Sequence, residues 1–220
     1  MNYINKDFLV LSKKQNVHLN NLKELVRRQM PVELYKHSIG TLNYSIKLAS
    51  IYFLKLLPDK PGNELLRLYY KLCLSCILHD YGKIFKYEEL LRIAVEEKIK
   101  LSDFELKCKS IIHGFVTPFL IKRDFGINDD EIGQAIKCHT IGSYNMTLID
   151  RLLYISDKVE ETRNYEEIDY LRKLSETDLS WCLLEVYKSN IIYVINKNNL
   201  LHPDTAKIWN YICGGFKNAI

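Results

Sequence analysis

The stretch LSCILHDYGK, residues 74–83, decides the fold and the chemistry that we expect of this chain. An apolar helical run ends here at His79 and Asp80 without a polar transition, and a glycine and a lysine follow at once. Burying an imidazole and a carboxylate at the end of an apolar segment costs several kcal/mol unless each group has a partner. The sequence therefore predicts a partner at this helix end that satisfies both groups.

Helical patterns extend over the rest of the chain. Turn signals are few, with nine Gly and five Pro, and hydrophobic residues recur at helical spacing, with no long strand-like alternation. The predicted helix signals are Pro31 as an opening residue, Ser102 with Glu105 and Asn128 with Glu131 as capping boxes, Thr147 and Thr177 as caps, and Gly126 as a stop. We predict an all-α fold, a single compact multi-helix domain with a C-terminal helical extension. Its parts are an N-terminal helical extension over 1–29, a central domain over 30–165, and C-terminal helices over 166–220 packed on the same domain.

Composition narrows the class of protein. The chain has 220 residues, of which 47% are hydrophobic and 26% charged, so wholesale disorder is excluded. The net charge is only +4 and the lysines are scattered, which argues against a nucleic-acid partner. No apolar run is long enough to span a bilayer, and the first residues do not resemble a signal peptide. Cys73 and Cys76 form a CxxC inside the apolar helix and are interpreted as buried, reduced thiols. A cytoplasmic protein without a membrane partner is expected.

Six residues at unequal spacings form the candidate site: His37, His79, Asp80, His113, His139 and Asp157. Each is expected on, or at the end of, a predicted helix; His37 shares an inward face with Leu34 and Tyr44, and His113 is placed at a break before Gly114. Taken singly, an inward histidine is more often a hydrogen-bonded core residue than a ligand. One divalent cation would satisfy all six groups at once, because neutral imidazole and ionised carboxylate are metal ligands.

The ligand types restrict the metal and the reaction. Imidazole and carboxylate without thiolate suit iron, manganese, cobalt or zinc, and they disfavour calcium. A metal with an open position lowers the pKa of a bound water and supplies hydroxide at neutral pH. Hydrolysis of a phosphate ester or anhydride is therefore the expected chemistry.

The ordered motifs carry a family resemblance. His37, the pair His79-Asp80 about forty residues later, and Asp157 resemble the HD-domain metal-dependent phosphohydrolase superfamily. The phrases KHSIGT, LHDYGK, IIHGFVTPFLIKRDFGI, AIKCHTIG, NMTLIDRLLYISDKVEETR and LHPDTAKIWN resemble, in order, those of the YqeK-type HD hydrolases, over roughly residues 30–211. That family cleaves diadenosine tetraphosphate symmetrically to two ADP. The resemblance implies iron first, with manganese, cobalt or zinc as alternatives, and one ion or two.

Residue roles follow from this resemblance. The implied metal ligands are His37, His79, Asp80 and Asp157, and Asp80 would also orient the attacking water. His113 and His139 would face the phosphates or hold a second metal. The implied substrate-binding residues are Lys83, Thr140 and Arg163 for the phosphates, with the loop Leu200, Leu201, His202, Pro203, Asp204 and Thr205 over the nucleoside. The product complex would hold ADP or a similar diphosphate such as GDP. The chain departs from the family at Ser156, where alanine is common, and at Ser143, near which a basic residue is common.

Several alternatives stay open. Lys83 is equally explained as a solvated lysine at a helix end, Arg163 as an ion-pair partner of Glu160, and His202 as an exposed loop residue; His18 is expected at the surface. Another HD phosphatase, acting on nucleoside monophosphates or guanosine alarmones, would use the same metal ligands. A non-catalytic nucleotide sensor is the third function class, and a homodimer is left open.

Overall fold

The regular structure of this protein is helical throughout the part of the chain that the computed structural model describes, residues 9–217. The first eight residues of the predicted N-terminal extension and the last three of the predicted C-terminal region lie outside that part. The helices are α1 Lys13–Gln29, α2 Val32–Leu56, α3 Gly62–Leu78, α4 Tyr87–Glu96, α5 Asp103–Lys107, α6 Ile112–Phe125, α7 Asp130–Ile141, α8 Leu148–Val159, α9 Ile168–Thr177, α10 Leu179–Asn196 and α11 Thr205–Lys217, with a 3-10 turn at Tyr81–Ile84. The all-α prediction is confirmed. Within the same range, no helix combines the length and apolar character needed to cross a bilayer.

Helix α3 lies at the centre of the core. It packs against α1, α2, α7 and α8, and every residue from 71 to 80 is buried. Because neighbouring helices cover it on several sides, its C-terminal half can be apolar all round, which the sequence between Leu72 and Leu78 satisfies. The chain then leaves the helix at His79 and Asp80, which are 0% and 1% exposed. The fold thus delivers both side chains to the middle of the core.

Helix caps fix where the neighbouring helices begin. Ser102 and Thr147 form the predicted caps, each with a reciprocal capping box. The box predicted at Asn128 is wrong, because Asp129 caps α7 and accepts hydrogen bonds from the N–H groups of the next helical residues. A carboxylate next to the positive end of the helix dipole is the stronger acceptor there. Likewise, Asp178 rather than Thr177 caps α10.

The predicted break before Gly114 is absent. His113 lies in the first turn of α6, which continues through Gly114 to Phe125 and ends, as predicted, at Gly126 in the left-handed region (φ 67°). Gly114 serves a close approach of helices: a Cβ built on it would lie 2.6 Å from Cγ2 of Thr140 on α7. The glycine therefore marks the packing of α6 on α7, and not an interruption of α6.

The three C-terminal helices pack on the central ones. Helix α9 contacts α2 and α8, and α10 contacts α8, α9 and α11. Arg172 of α9 ties the turn after α8, donating from Nε to the carbonyl of Val159 (2.9 Å) and from a terminal nitrogen to the carbonyls of Glu160 (2.8 Å) and Arg163 (3.0 Å). The division into three parts at residues 29 and 165 stays a prediction.

Candidate metal centre

The six candidate residues converge on one place. They come from five helices: His37 from α2, His79 and Asp80 from the end of α3, His113 from α6, His139 from α7 and Asp157 from α8. Each is at most 9% exposed. Because α2, α3, α7 and α8 pack on one another and α6 packs on α7, their inward faces meet at this level of the core.

One half of the cluster surrounds a carboxylate of α8. Nε2 of His37 lies 2.9 Å from Oδ1 of Asp157 and 3.2 Å from Nε2 of His79. Nε2 of His79 lies 3.7 Å from the same oxygen of Asp157. Oδ2 of Asp80 completes this half, at 3.6 Å from His37 and 3.5 Å from His79.

The other half is built on the second oxygen of Asp80. Oδ1 lies 3.3 Å from Nε2 of His113 and 3.4 Å from Nε2 of His139, and these two nitrogens are 3.2 Å apart. Asp80 thus joins the halves, with one carboxylate oxygen directed to each pair of histidines.

In three histidines of the cluster, the hydrogen bond at Nδ1 determines which ring nitrogen carries the lone pair. Nδ1 of His79 donates to the carbonyl of Cys76 at 2.9 Å, and Nδ1 of His139 donates to the carbonyl of Ile136. Nδ1 of His37 donates to Oε1 of Glu160 at 3.0 Å. In the neutral tautomer that donates from Nδ1, Nε2 carries a lone pair. In these tautomers three lone pairs point into the cluster, and Nε2 of His37 also lies 3.3 Å from a terminal nitrogen of Arg163.

These residues fit a divalent cation. The Nε2 atoms of His37 and His79, which both carry lone pairs, lie 3.2 Å apart, as do those of His113 and His139. The buried Oδ1 of Asp80 accepts no well-aligned hydrogen bond from the described residues. A cation removes both the repulsion between the facing lone pairs and the cost of the unpaired buried oxygen, since it accepts electron pairs from all of these atoms. Three triads offer ligand atoms within 4.8 Å of one another: His37, His79 and Asp80; His79, His139 and Asp157; Asp80, His113 and His139.

Protonation states match this use at four members of the cluster. His37 is the exception, because burial lowers its pKa but hydrogen bonds to Asp157 and Glu160 raise it, and the net direction is upward. Burial alone would raise the pKa of the Asp80 carboxyl, but His79, His113 and His139 hold it well below its usual range. Burial likewise opposes ionisation of Asp157, but Lys158 and the histidines hold its pKa well below the usual range. Burial lowers the pKa of His113, and it lowers that of His139 to about 3. Near neutral pH the carboxylates are therefore charged and these two imidazoles neutral, as ligation requires.

Two lysines and an arginine surround the cluster. Arg163 donates to Oδ1 of Asp157 at 2.9 Å, and Lys83 donates to Oδ2 of Asp80 at 2.7 Å. Their side chains are 38% and 43% exposed, so each reaches from the solvent to a buried carboxylate. Arg163 also lies 3.7 Å from Glu160, so the ion pair considered as an alternative for it is present, and its phosphate contact stays a prediction. Lys158, which the sequence analysis missed, contacts Asp157 and donates to the carbonyl of His139 at 3.0 Å.

Thr140 lies beside the cluster. Its hydroxyl donates to the carbonyl of Lys137 at 3.0 Å, and its methyl group faces Gly114. The hydroxyl is thus engaged within its own helix.

The loop Leu200–Thr205 lies against α5. The side chain of His202 is 8% exposed, so its interpretation as an exposed loop residue is wrong. Its Nε2 lies 3.3 Å from Oε1 of Glu105, and its ring packs edge-on against Phe104. Nδ1 accepts a hydrogen bond from the N–H of Asp204, whereas Leu200 is 74% exposed. His18 is exposed, as predicted, and contacts Tyr70.

The chain is similar to known proteins over most of its length. The family model of the HD domain matches residues 34–162. The symmetrical bis(5'-nucleosyl)-tetraphosphatase of Bacillus subtilis (strain 168) is 30% identical over 190 residues, which cover 86% of this chain and 95% of that protein. The enzyme of the same description from Staphylococcus aureus (strain NCTC 8325 / PS 47) is 27% identical, with 89% and 94% covered. A crystal structure from Clostridium acetobutylicum, described as a predicted HD superfamily hydrolase involved in NAD metabolism, superposes with a TM-score of 0.76 at 28% identity, over 89% of this chain and 96% of that one.

Proposed function

The chain belongs to the HD domain family, and from that membership we propose that it is a metal-dependent hydrolase that cleaves diadenosine tetraphosphate symmetrically into two molecules of ADP. The observation that carries the proposal is the buried cluster of four histidines and two aspartates on five helices. Similarity over nearly the full length of the curated tetraphosphatases supports the choice of substrate.

In this proposal His37, His79, Asp80 and Asp157 hold the divalent metal. Iron is proposed first, because imidazole and carboxylate ligands without thiolate suit it, and they equally suit manganese, cobalt or zinc. When bound, such a metal lowers the pKa of water and polarises a phosphoryl oxygen. Asp80 contributes further, because its ionised carboxylate accepts a hydrogen bond from the attacking water and orients it toward phosphorus.

His113 and His139 have two candidate roles, donors to phosphate or ligands of a second metal. Since Nδ1 of His139 donates to its own helix, its Nε2 carries a lone pair and cannot donate to a phosphate unless the ring is protonated. A pKa of about 3 makes that protonation unfavourable near neutral pH. We therefore favour the second-metal role for this pair, for which Asp80 would supply the third ligand through Oδ1.

Arg163 and Lys83, which reach the cluster from the solvent, are proposed to bind the phosphates. Arg163 and Lys83 pair with Asp157 and Asp80, and their partly exposed side chains can exchange these carboxylates for phosphate oxygens. Charge that develops on the phosphates during bond cleavage is then neutralised from two sides. Thr140 stays a predicted phosphate contact, for which its hydroxyl would have to exchange the carbonyl of Lys137 for a phosphate oxygen.

The nucleoside is proposed to bind at the loop Leu200–Thr205. A cavity of about 360 Å³ lies between this loop and helices α10 and α11, and its lining includes Leu201, His202, Pro203, Thr205 and Trp209. An indole beside aliphatic side chains suits a purine, because bases stack on aromatic rings. Symmetrical cleavage leaves a nucleoside diphosphate on each side, so ADP is the expected product complex.

The setting of the reaction is proposed to be the cytoplasm, which six unpaired cysteine thiols support. A homodimer and the absence of a nucleic-acid partner stay predictions.

Product analysis tests the function directly. Protein purified without chelator is supplied with diadenosine tetraphosphate, and the nucleotides released are separated by chromatography. Two ADP per substrate are expected, and the Asp80→Ala variant is the inactive control. Release of AMP with ATP would contradict symmetrical cleavage, and nucleotide binding without any release would favour the sensor.

A further inference from the structure

Glu160 is a buried carboxylate that contacts His37 at Nδ1, the ring nitrogen that faces away from the cluster. It follows the last residue of α8 and is 0% exposed, and its Oε1 accepts a hydrogen bond from Nδ1 of His37 at 3.0 Å. The other two histidines of the cluster whose Nδ1 has a described partner, His79 and His139, donate to backbone carbonyls of their own helices. Among these three, His37 alone is oriented by a charged side chain from another helix.

The carboxylate of Glu160 is itself held in place. The N–H of Thr162 donates to Oε2 at 2.7 Å, and the Thr162 hydroxyl donates to Oε1. The backbone of the same turn is fixed by the three hydrogen bonds from Arg172. Glu160 can therefore impose an orientation on His37, because its own position does not depend on that histidine alone.

Gly40 provides the space for this contact. It lies three residues after His37 on α2, and a Cβ built on it would lie 2.3 Å from Oε2 and 3.1 Å from Cδ of Glu160. Any other residue at position 40 would displace the carboxylate or push α2 away from the turn after α8. The nearest atoms to this Cβ all belong to Glu160.

We propose that Glu160 is a positioning residue for the metal centre, which holds the ring of His37 with Nε2 directed into the cluster, and that Gly40 is required to admit its carboxylate. The proposal rests on the proposed function in one respect, namely that His37 is a metal ligand. A carboxylate on the distal nitrogen of a ligating histidine fixes the tautomer and the ring orientation, and it makes the ligand more basic.

Metal affinity, measured without reference to turnover, tests the proposal. The full-length metal-free protein is titrated with cobalt(II), and binding is followed by calorimetry and by the visible absorption of the ion, which reports its coordination. Glu160→Ala is expected to weaken cobalt binding about 10–100-fold and to change the absorption band. Glu160→Gln keeps one oxygen for His37 but places an amide toward the N–H of Thr162, so an intermediate loss is expected. Glu161→Ala, at the exposed neighbouring position, is the matched control and should bind cobalt as the wild type does.

A double-mutant cycle separates positioning from a general loss of structure. Gly40→Ala should weaken cobalt binding at least tenfold, because the new methyl group displaces the carboxylate. In the Glu160→Ala background the close contacts of this methyl group, all with Glu160, are gone, and the same substitution should change affinity less than twofold. Such non-additivity is expected only if Gly40 acts through Glu160.

The outcomes distinguish this inference from the proposed function. If the wild type itself binds no cobalt, the metal centre and the proposed function both fail. If the wild type binds cobalt and Glu160→Ala binds it equally well, the positioning role is refuted while the proposed function stands. If Glu160→Ala does not fold, Gly40→Ala and Glu160→Gln decide, and wild-type affinity in both refutes the role.

Discussion

Replacement of Gly114 by alanine tests the packing that brings His113 and His139 together. The new Cβ would lie 2.6 Å from Cγ2 and 3.1 Å from Oγ1 of Thr140. Carbon atoms prefer separations of about 3.5–4.0 Å, so an overlap of roughly 1 Å must be relieved by moving α6 away from α7. The Nε2 atoms of the two histidines, now 3.2 Å apart, would separate with the helices.

The magnitude follows from comparison with a second glycine at the same helix pair. Gly133, in the first turns of α7, would place a Cβ 3.5 Å from Pro118 of α6, which is ordinary contact. Both substitutions gain similar helix propensity, up to about 1 kcal/mol each, and only Gly114→Ala adds overpacking of about 1–3 kcal/mol. We therefore expect Gly114→Ala to be about 1–3 kcal/mol less stable than Gly133→Ala.

Urea unfolding of the metal-free proteins measures this difference, and a thermal scan should show a gap of about 2–4 °C for each kcal/mol. Thr140→Ser removes the methyl group that Gly114→Ala meets, so the double variant should recover more than half of the loss. Equal stability of the two alanine variants, or failure of the serine to rescue, would refute the packing argument.

Three further predictions concern charge and metal. Asp80→Ala should lose both metal and turnover, since it removes a ligand from each half of the cluster; metal analysis together with the product assay checks this, and wild-type activity would show that the ligand assignment is wrong. A strong chelator should abolish turnover and lower the melting temperature, and ferrous or manganous ions should restore both; at a free ion concentration about 100-fold above Kd the stabilisation is about 2.7 kcal/mol. Asp129→Asn should be less stable than the wild type near neutral pH, and urea titrations at several pH values should show that this difference in free energy of unfolding disappears in acid. Burial raises and Lys71 lowers the pKa of Asp129, and the net direction is downward. That stabilisation is complete above the unfolded pKa of about 3.9 and is lost as the pH falls through the lower folded value, whereas asparagine keeps the cap. If the difference in stability between the wild type and Asp129→Asn does not narrow below about pH 4, the stabilising ion pair of Asp129 with Lys71 is contradicted.

The sequence was sufficient to predict the helices because local signals set them. Hydrophobic spacing and caps such as Ser102 and Thr147 act within one turn, so they can be identified without tertiary structure. The errors arose where a neighbouring residue competed or where tertiary packing decided. Asp129, and not Asn128, caps α7. Gly114 was expected to follow a break in the helix, but it lies inside α6 where this helix comes close to α7.

The cluster could be predicted in membership but not in geometry. Six polar groups on inward helical faces indicated one shared partner, whereas the pairing of each oxygen of Asp80 with its own histidines depends on how five helices pack. Glu160 was missed because it stands in the charged run EETR, which is typical of a solvent-exposed helix end. A glycine one turn after His37 was the available signal, and its meaning depends on a contact 120 residues away in the chain.

The three hydrogen bonds donated by Arg172 connect the C-terminal part of the chain to the turn beside the candidate metal centre. Arg172 lies beyond residue 162, where the HD family match ends, yet it secures the turn that carries Glu160 and Arg163. A fragment trimmed to the matched residues 34–162 would retain all six clustered side chains, but it would lack Arg163 and lose the anchor of Glu160. We therefore expect the smallest active fragment to be longer than the family match and to extend beyond α9.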